Sequence, residues 1–170
     1  GYRYDLHKVL TEKLSANPDL YDQVEVVVYS PPQSNQLGPD SSLDMILTFR
    51  NMHGWYGNNE LSGVLSDFYR TLKPGGVLGV VQHRADVGSD PVQTATEGYL
   101  PEQAVITAAE AAGFELEERS EVNANPKDKH QHPEGVWTLP PSLRLGEKNK
   151  EQYLAIGESD RMTLKFRKPG

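Results

Sequence analysis

Seven residues after an apolar run, Phe49-Arg50-Asn51-Met52-His53-Gly54-Trp55, place several reactive groups close together. Asn51 can fix a polar ligand group, His53 can move a proton near neutral pH, and Trp55 can stack on a planar or cationic substrate. A second imidazole stands in Gln82-His83-Arg84, directly after the next apolar run. Two adjacent strand ends that each present a histidine point to proton transfer or ligand recognition at the carboxyl end of a sheet, where open α/β sheets bind ligands. The plainer alternative is a loop in which Trp55 covers the sheet end and His53 bonds to backbone. A third group, His130-Gln131-His132-Pro133-Glu134, offers two imidazoles and a carboxylate for zinc or nickel. It lacks a clear fourth ligand, so it reads as a solvated loop and no metal is assigned.

Other motifs exclude more than they assign. Lys73-Pro74-Gly75-Gly76 runs from a helix into a strand. Phosphate loops run the other way, so this one reads as a tight turn that needs glycine dihedrals. Neither G-x-G-x-x-G nor G-x-x-x-x-G-K-[ST] occurs, which removes the main support for dinucleotide dehydrogenases and P-loop enzymes. Asp160-Arg161 reads as an ion pair or a feature of a strand's start, of the surface kind that contributes little.

The elements that must position these groups follow from hydrophobic spacing. Leu6, Val9, Leu10 and Leu14 share one face of a helix over residues 3–16, stopped at Asn17-Pro18-Asp19. Val24 to Tyr29 is β-branched and almost continuously apolar, which predicts a buried strand ended by Ser30-Pro31-Pro32. A polar loop over residues 33–43 leads to a second buried strand, Leu43 to Phe49. Leu61, Val64, Leu65, Phe68, Tyr69 and Leu72 then follow helical spacing, with Asn58 or Asn59 available as N-cap, and Val77 to Val81 is another short strand. Strand, helix and strand in succession make a βαβ unit.

Pro101 opens a helix carrying Val105, Ile106, Ala109 and Ala112, which Gly113 stops. Phe114 to Val122 alternates with charged residues, as a strand with one wet face does, and this implies a sheet edge or an antiparallel position. Residues 123–150 are polar and hold four prolines, too long for a plain connection and so expected to be functional or partly mobile. Met162, Leu164 and Phe166 alternate with polar residues in a last, edge-like strand.

The chain is 170 residues long, suited to one domain spanning 1–170 with a long insertion at 123–161 before the last strand. Lys and Arg total 17 against 24 Asp and Glu, a net charge of -7, so no basic surplus exists to meet a nucleic acid. No apolar run reaches the roughly 18 residues needed to span a bilayer, and the first ten residues lack the apolar stretch of a secretion signal. The sequence therefore reads as soluble, without a membrane partner, with cytoplasm and periplasm both open. The absence of cysteine excludes disulfides, thiolate metal sites and a cysteine nucleophile. Gly at position 1 agrees with processing, a tag remnant, or a start inside a longer reading frame.

The stretch Leu43 to Val81, with "LDMILTFRNMHGW", "FYRTLKPGG" and "VLGVVQHR", resembles the second half of a class I S-adenosylmethionine (SAM)-dependent methyltransferase. Leu100 to Gly113, Phe114 to Val122 and Met162 to Phe166 resemble that family's next helix, sixth strand and antiparallel seventh strand. More narrowly, "FRNMHGW", "NANPKD", "PEGVWTLPPSLRLG" and "GESDRMTL" look like a bacterial group known only as predicted methyltransferases. The resemblance implies an α/β fold with a Rossmann-like methyltransferase sheet in the order 3-2-1-4-5-7-6, mostly parallel with an antiparallel last strand. The family's N-terminal strands, with the glycine-rich turn and the acidic residue that grip the cofactor, are missing from this sequence. An apolar strand at Val24 to Tyr29 without those neighbours is expected to pair elsewhere or to form a swapped homo-oligomer.

The same resemblance implies SAM as cofactor, with Ser30 and Pro31 near adenine and Phe49, Arg50 and Asn51 near its methionine portion. It places His53, Trp55, His83 and Arg84 on the side of a small-molecule acceptor, with Trp137 a further substrate contact. His53 is then the first choice of base and His83 the second. Two other readings remain open on the sequence: a non-enzymatic remnant or interaction module of the same fold that binds no SAM, and a metal-binding protein using His130, His132 and Glu134.

Overall fold

Alternation along the strands decides which side of the sheet meets the helices. In the computed structural model, which describes residues 6–32 and 37–170, β1 (Leu43–Phe49) turns Ile46 and Thr48 inward, and Met45, Leu47 and Phe49 to the other face. β2 (Leu72–His83) buries Leu78, Val80 and Gln82 on the inner side, and β5 (Arg161–Arg167) buries Met162, Leu164 and Phe166. Against this face pack α4 (Leu61–Thr71), through Leu61, Val64, Leu65 and Phe68, and α6 (Glu102–Ala111), through Val105, Ile106 and Ala109. The opposite face is bare where Met45, Leu47 and Phe49 lie, each more than half exposed.

The four-stranded sheet has the order β1-β2-β5-β3, with β3 at Glu115–Ser120. β1 and β2 are parallel, and β5 runs antiparallel to both β2 and β3, so three of the four strands point one way. This is the 4-5-7-6 side of the expected Rossmann-like sheet, and β3 is the edge strand that its charged alternation foretold. The remaining elements are α1 (Leu6–Ala16), α2 (Pro18–Tyr21), α3 (Met52–Gly57), α5 (Pro91–Thr96), β4 (Pro133–Val136) and α7 (Lys150–Ile156). The first helix is found from Leu6 on, with Val9 and Leu10 of its apolar face exposed, while residues 3–5 of that expectation, and 33–36 of the expected loop, lie outside the described residues. None of the helices is long and apolar enough to cross a membrane, among the described residues.

Several local expectations need correction. Val24 to Tyr29 forms no strand: it is extended, and Val24, Val26, Val27 and Val28 are exposed. It pairs with no strand of this sheet either, so the expected rearranged pairing is not found among the described residues. The physical reason is the want of a ladder partner, since a strand exists only where its N–H and C=O groups are paired. A cleft of about 470 Å³ separates Glu25, Val27 and Tyr29 from β1. β1 itself hydrogen-bonds only to β2, which leaves its outer edge open among the described residues.

The N-cap of α4 is Glu60 and not Asn58 or Asn59, because the preceding loop winds into α3: Asn58 closes that helix and Asn59 takes a left-handed φ of 59°. The Lys73-Pro74-Gly75-Gly76 turn lies inside β2, at a register shift opposite Leu43 and Met45. Gly75 has a φ of 76°, and a Cβ on Gly76 would stand 2.8 Å from the Lys73 carbonyl oxygen, so both glycines are required there.

Candidate functional site

Parallel pairing sets the carboxyl ends of β1 and β2 side by side, and the chain leaves both carrying polar side chains. Beyond Phe49 the backbone turns sharply. Arg50 adopts a left-handed φ of 62°, costly for a residue with a side chain, and its N–H is fixed on the Val81 carbonyl at 2.7 Å. That turn aims Asn51 and the first turn of α3, with His53, across the end of β2.

His53 and His83 face each other there, with ring centroids 5.9 Å apart. The Gln82 amide lies 3.2 Å (Nε2) and 3.4 Å (Oε1) from His53 Nδ1. Gln82 is fully buried and its amide nitrogen also donates to the Gly98 carbonyl at 3.0 Å, so the His53 ring leans on a fixed group. His83 Nδ1 lies 2.6 Å from Ser159 Oγ. Burial pushes the His53 imidazole below its ordinary range, partly offset by the Gln82 bond. Burial also drives His83 down to about 3, helped by the neighbouring His53 and the positive charges of Arg50 and Arg161. Both rings are therefore neutral at pH 7, the form that accepts a proton.

A cavity of about 310 Å³ opens over the two imidazoles, walled by Phe49, Arg50, Asn51, Trp137, Ser159 and Arg161 among others. Trp137 meets His53 edge-on at 5.9 Å and carries the Arg144 guanidinium over its ring at 4.6 Å. A second cavity of about 380 Å³ lies on the other side of Arg50, Asn51 and His53, and Ser30, Pro31 and Trp55 line it. Of the residues expected near a cofactor, Ser30, Pro31, Arg50 and Asn51 thus share one cavity, and Phe49 lies in the other. His53, His83 and Trp137, expected on the acceptor side, line the first cavity together. Trp55 does not: it lines the second cavity and packs edge-on against Phe68 at 5.9 Å.

Arg84 departs from its expected place more clearly. It faces a separate cavity with Asp86, Glu102 and His130, and its guanidinium is held by Asp160 (2.9 and 3.0 Å) and Glu121 (2.7 and 2.9 Å). Those bonds raise its pKa and leave it a fastener, not a substrate group.

Behind the site stands a polar cluster that the sequence reading did not assemble. The Asp128 carboxylate is buried and accepts from the Tyr99 hydroxyl (3.1 Å), the N–H groups of His130 and Asp160 (2.9 Å each) and His132 Nε2 (2.8 Å). Tyr99 in turn touches the His83 ring edge-on at 6.0 Å. Asp160, expected to pair with Arg161, instead binds Arg84 and the Asn125 N–H (2.8 Å), while Arg161 Nη2 reaches Glu158 at 2.7 Å. Burial alone would raise the Asp160 pKa, but the Arg84 and Asn125 bonds outweigh it and hold the carboxylate below its ordinary value. His130 sits between Asp86 (2.9 Å) and Asp160 (3.4 Å), His132 on Asp128, and Glu134 near Arg144 at 3.9 Å. These three candidate ligands diverge, and no group of three or more His, Asp or Glu is placed to hold a metal ion among the described residues.

Compared by sequence, the chain matches no family model and no curated protein. Compared by structure, it is similar to the [4+2]-cyclase SpnF, with a TM-score of 0.61 and 18% identity, covering 95% of this chain and 62% of that one. A protein from Galdieria sulphuraria assigned as a sarcosine dimethylglycine methyltransferase gives 0.60 and 17%, covering 93% and 64%. The Burkholderia thailandensis 1,6-didemethyltoxoflavin-N1-methyltransferase, solved with its substrate and S-adenosylhomocysteine, gives 0.54 and 13%, covering 94% and 57%. The chain thus spans less than two thirds of these neighbours, and at such identities the likeness is one of fold.

Proposed function

We propose that this chain is part of a SAM-dependent methyltransferase, of the bacterial group its motifs resemble, acting on a small molecule. The observation that carries the reading is the pair of cavities that meet at Arg50, Asn51 and His53, at the carboxyl ends of two parallel strands. A transfer between two bound molecules needs such a seam, because most of its rate comes from holding them in line. The fold agrees with neighbours that include SAM-dependent methyltransferases, although SpnF, a cyclase, shows that fold alone does not settle the chemistry.

The second cavity suits one wall of the cofactor: the Ser30 hydroxyl, the Asn51 amide and the Glu60 carboxylate are polar partners beside the flat Trp55 ring. Bound there, SAM supplies a sulfonium methyl that an acceptor lone pair takes as the carbon–sulfur bond breaks and its electrons return to sulfur. The chain's own residues do the rest. In the tautomer whose Nδ1–H faces Gln82 Oε1, the neutral His53 ring has Nε2 free to take the acceptor's proton, and His83, held near 3, is the weaker second candidate. Phe49, Trp137 and Pro140 make the acceptor cavity partly apolar and limit water.

The open edge of β1 and its exposed Met45, Leu47 and Phe49 support a further part of the reading, association of two copies through this edge. Titration with S-adenosylhomocysteine by calorimetry, with solution mass taken on the same sample, tests both. Micromolar binding is expected. Absence of heat at high micromolar protein would remove the cofactor-binding reading for this chain.

A further inference from the structure

The acceptor cavity carries positive charge in an acidic protein. The net charge of the chain is -7, yet the charged residues lining this cavity are Arg50, Arg161 and Glu158. Glu158 takes up only Nη2 of Arg161, at 2.7 Å. Nε of Arg161 is enclosed with no hydrogen-bond partner, a deficit in a side chain that also forms the cavity wall. Arg50 has no side-chain partner among the described residues and stands at the seam between the two cavities. Both imidazoles are neutral, so neither adds charge nor cancels it.

Glu158 offsets one of the two guanidinium charges, so the cavity keeps one net positive charge, on the exposed Arg50, and one enclosed donor without an acceptor, Arg161 Nε; an anion would complete both, and a guanidinium's planar fork fits a carboxylate or phosphate oxygen pair. The register of the sheet makes the placement rigid. Arg161 is the first residue of β5 and pairs across the ladder with His83, so a group held by Arg161 lies beside the two imidazoles. The volume of about 310 Å³ is at the small end for ligand sites and suits a compact molecule. The polar groups near the rings, Ser142 and Ser159, add hydrogen-bond capacity without charge.

We infer that the molecule received in this cavity bears an oxyanion, held by Arg161 with Arg50 closing the seam, which orients its reactive atom toward His53 and the neighbouring cavity. This deepens the methyltransferase reading by giving the acceptor a chemical class, a small carboxylate or phosphate ester.

The test compares three probes that share one ring, benzoate, phenyl phosphate and benzamide, by proton–nitrogen NMR of the indole signals of Trp55 and Trp137, with and without S-adenosylhomocysteine. The two charged probes are expected to shift the Trp137 signal and to bind at least tenfold more tightly than neutral benzamide. Whichever of the two binds tighter identifies the source of the oxyanion. Arg161→Gln should remove most of that preference, and Arg50→Gln, at an exposed position, should weaken it severalfold without disturbing the fold. Equal binding of benzamide, no shift from either anion, or an unchanged preference in both variants would overturn the inference. So would displacement of the anions by S-adenosylhomocysteine, since the positive charge would then serve the cofactor's own carboxylate. Anion binding in a chain that ignores S-adenosylhomocysteine would leave this inference standing while the methyltransferase reading failed.

Discussion

His83→Gln isolates one energetic consequence of the buried pair and needs no knowledge of the substrate. The His83 ring is held at a pKa of about 3, against 6.5 for an ordinary histidine. Between those values the unfolded chain binds a proton that the folded chain does not, so folding stability rises with pH there and is lost as pH falls below 6.5. At pH 5 the unfolded ring is 1.5 units below its midpoint while the folded ring is still neutral. At about 1.4 kcal/mol per unit, His83 then costs about 2 kcal/mol of stability relative to pH 7. His53, lowered in the same direction, adds to the same slope. Glutamine keeps a polar group near Ser159 but does not titrate. The variant is expected to be less stable than the parent at pH 7, because the 2.6 Å contact with Ser159 is altered, and to lose about 2 kcal/mol less on going to pH 5. Urea unfolding followed by fluorescence at both pH values gives the difference, and NMR titration of the His83 ring gives the pKa directly. Parallel stability curves for parent and variant, or a ring midpoint above 5, would refute the reasoning.

Two other perturbations test the supports of the site. Asp128→Ala removes an acceptor shared by Tyr99, His132 and two backbone N–H groups, two of them buried and two part-buried, and should cost about 3 kcal/mol or more in a denaturant titration. Asp128→Ala should also shift the Trp137 signal, since the segment from Asp128 to Trp137 is tied down at its start by this carboxylate. Leu47→Lys places a charge on the bare face of β1 and should reduce any concentration-dependent association seen by light scattering, with little change in the monomer's stability.

What the sequence made legible was whatever depends on local periodicity. The helix at Leu61 to Leu72, the edge strand after Phe114 and the alternating last strand all come from apolar spacing, and each is found, with ends moved by one to a few residues. That His53, His83, Asn51 and Arg50 would come together around one cavity was legible because they follow strand ends, a position that the fold class gives in advance. Val24 to Tyr29 misled for the opposite reason. Its composition is that of a buried strand, but a strand is a property of two partners, and composition reports only one. Arg84 misled because a strand-end arginine can face the ligand or fasten the scaffold, and the choice was made by Asp160 and Glu121, 76 and 37 residues away.

Those long-range partners explain how a polar insertion becomes a wall. Because β5 runs antiparallel to β2, the residues before it, Glu158 to Asp160, arrive beside the end of β2, where His83 and Arg84 leave the sheet. Ser159 meets His83 there and Asp160 meets Arg84, so one backbone segment fixes both the imidazole and the fastener behind it. Asn125 and Asp128, from the start of the insertion, close on the same segment through the N–H and carboxylate of Asp160. The insertion is thereby held at both ends against β2, and its middle, Val136 to Ser142, is carried over the imidazoles as the outer side of the cavity. The polar residues that made 123–161 look like a loop are largely the bonds that stop it from being one. Variation within Val136 to Ser142 would then change which molecule fits this cavity, while the anchors at Asp128 and Asp160 and the two imidazoles beneath stay in place.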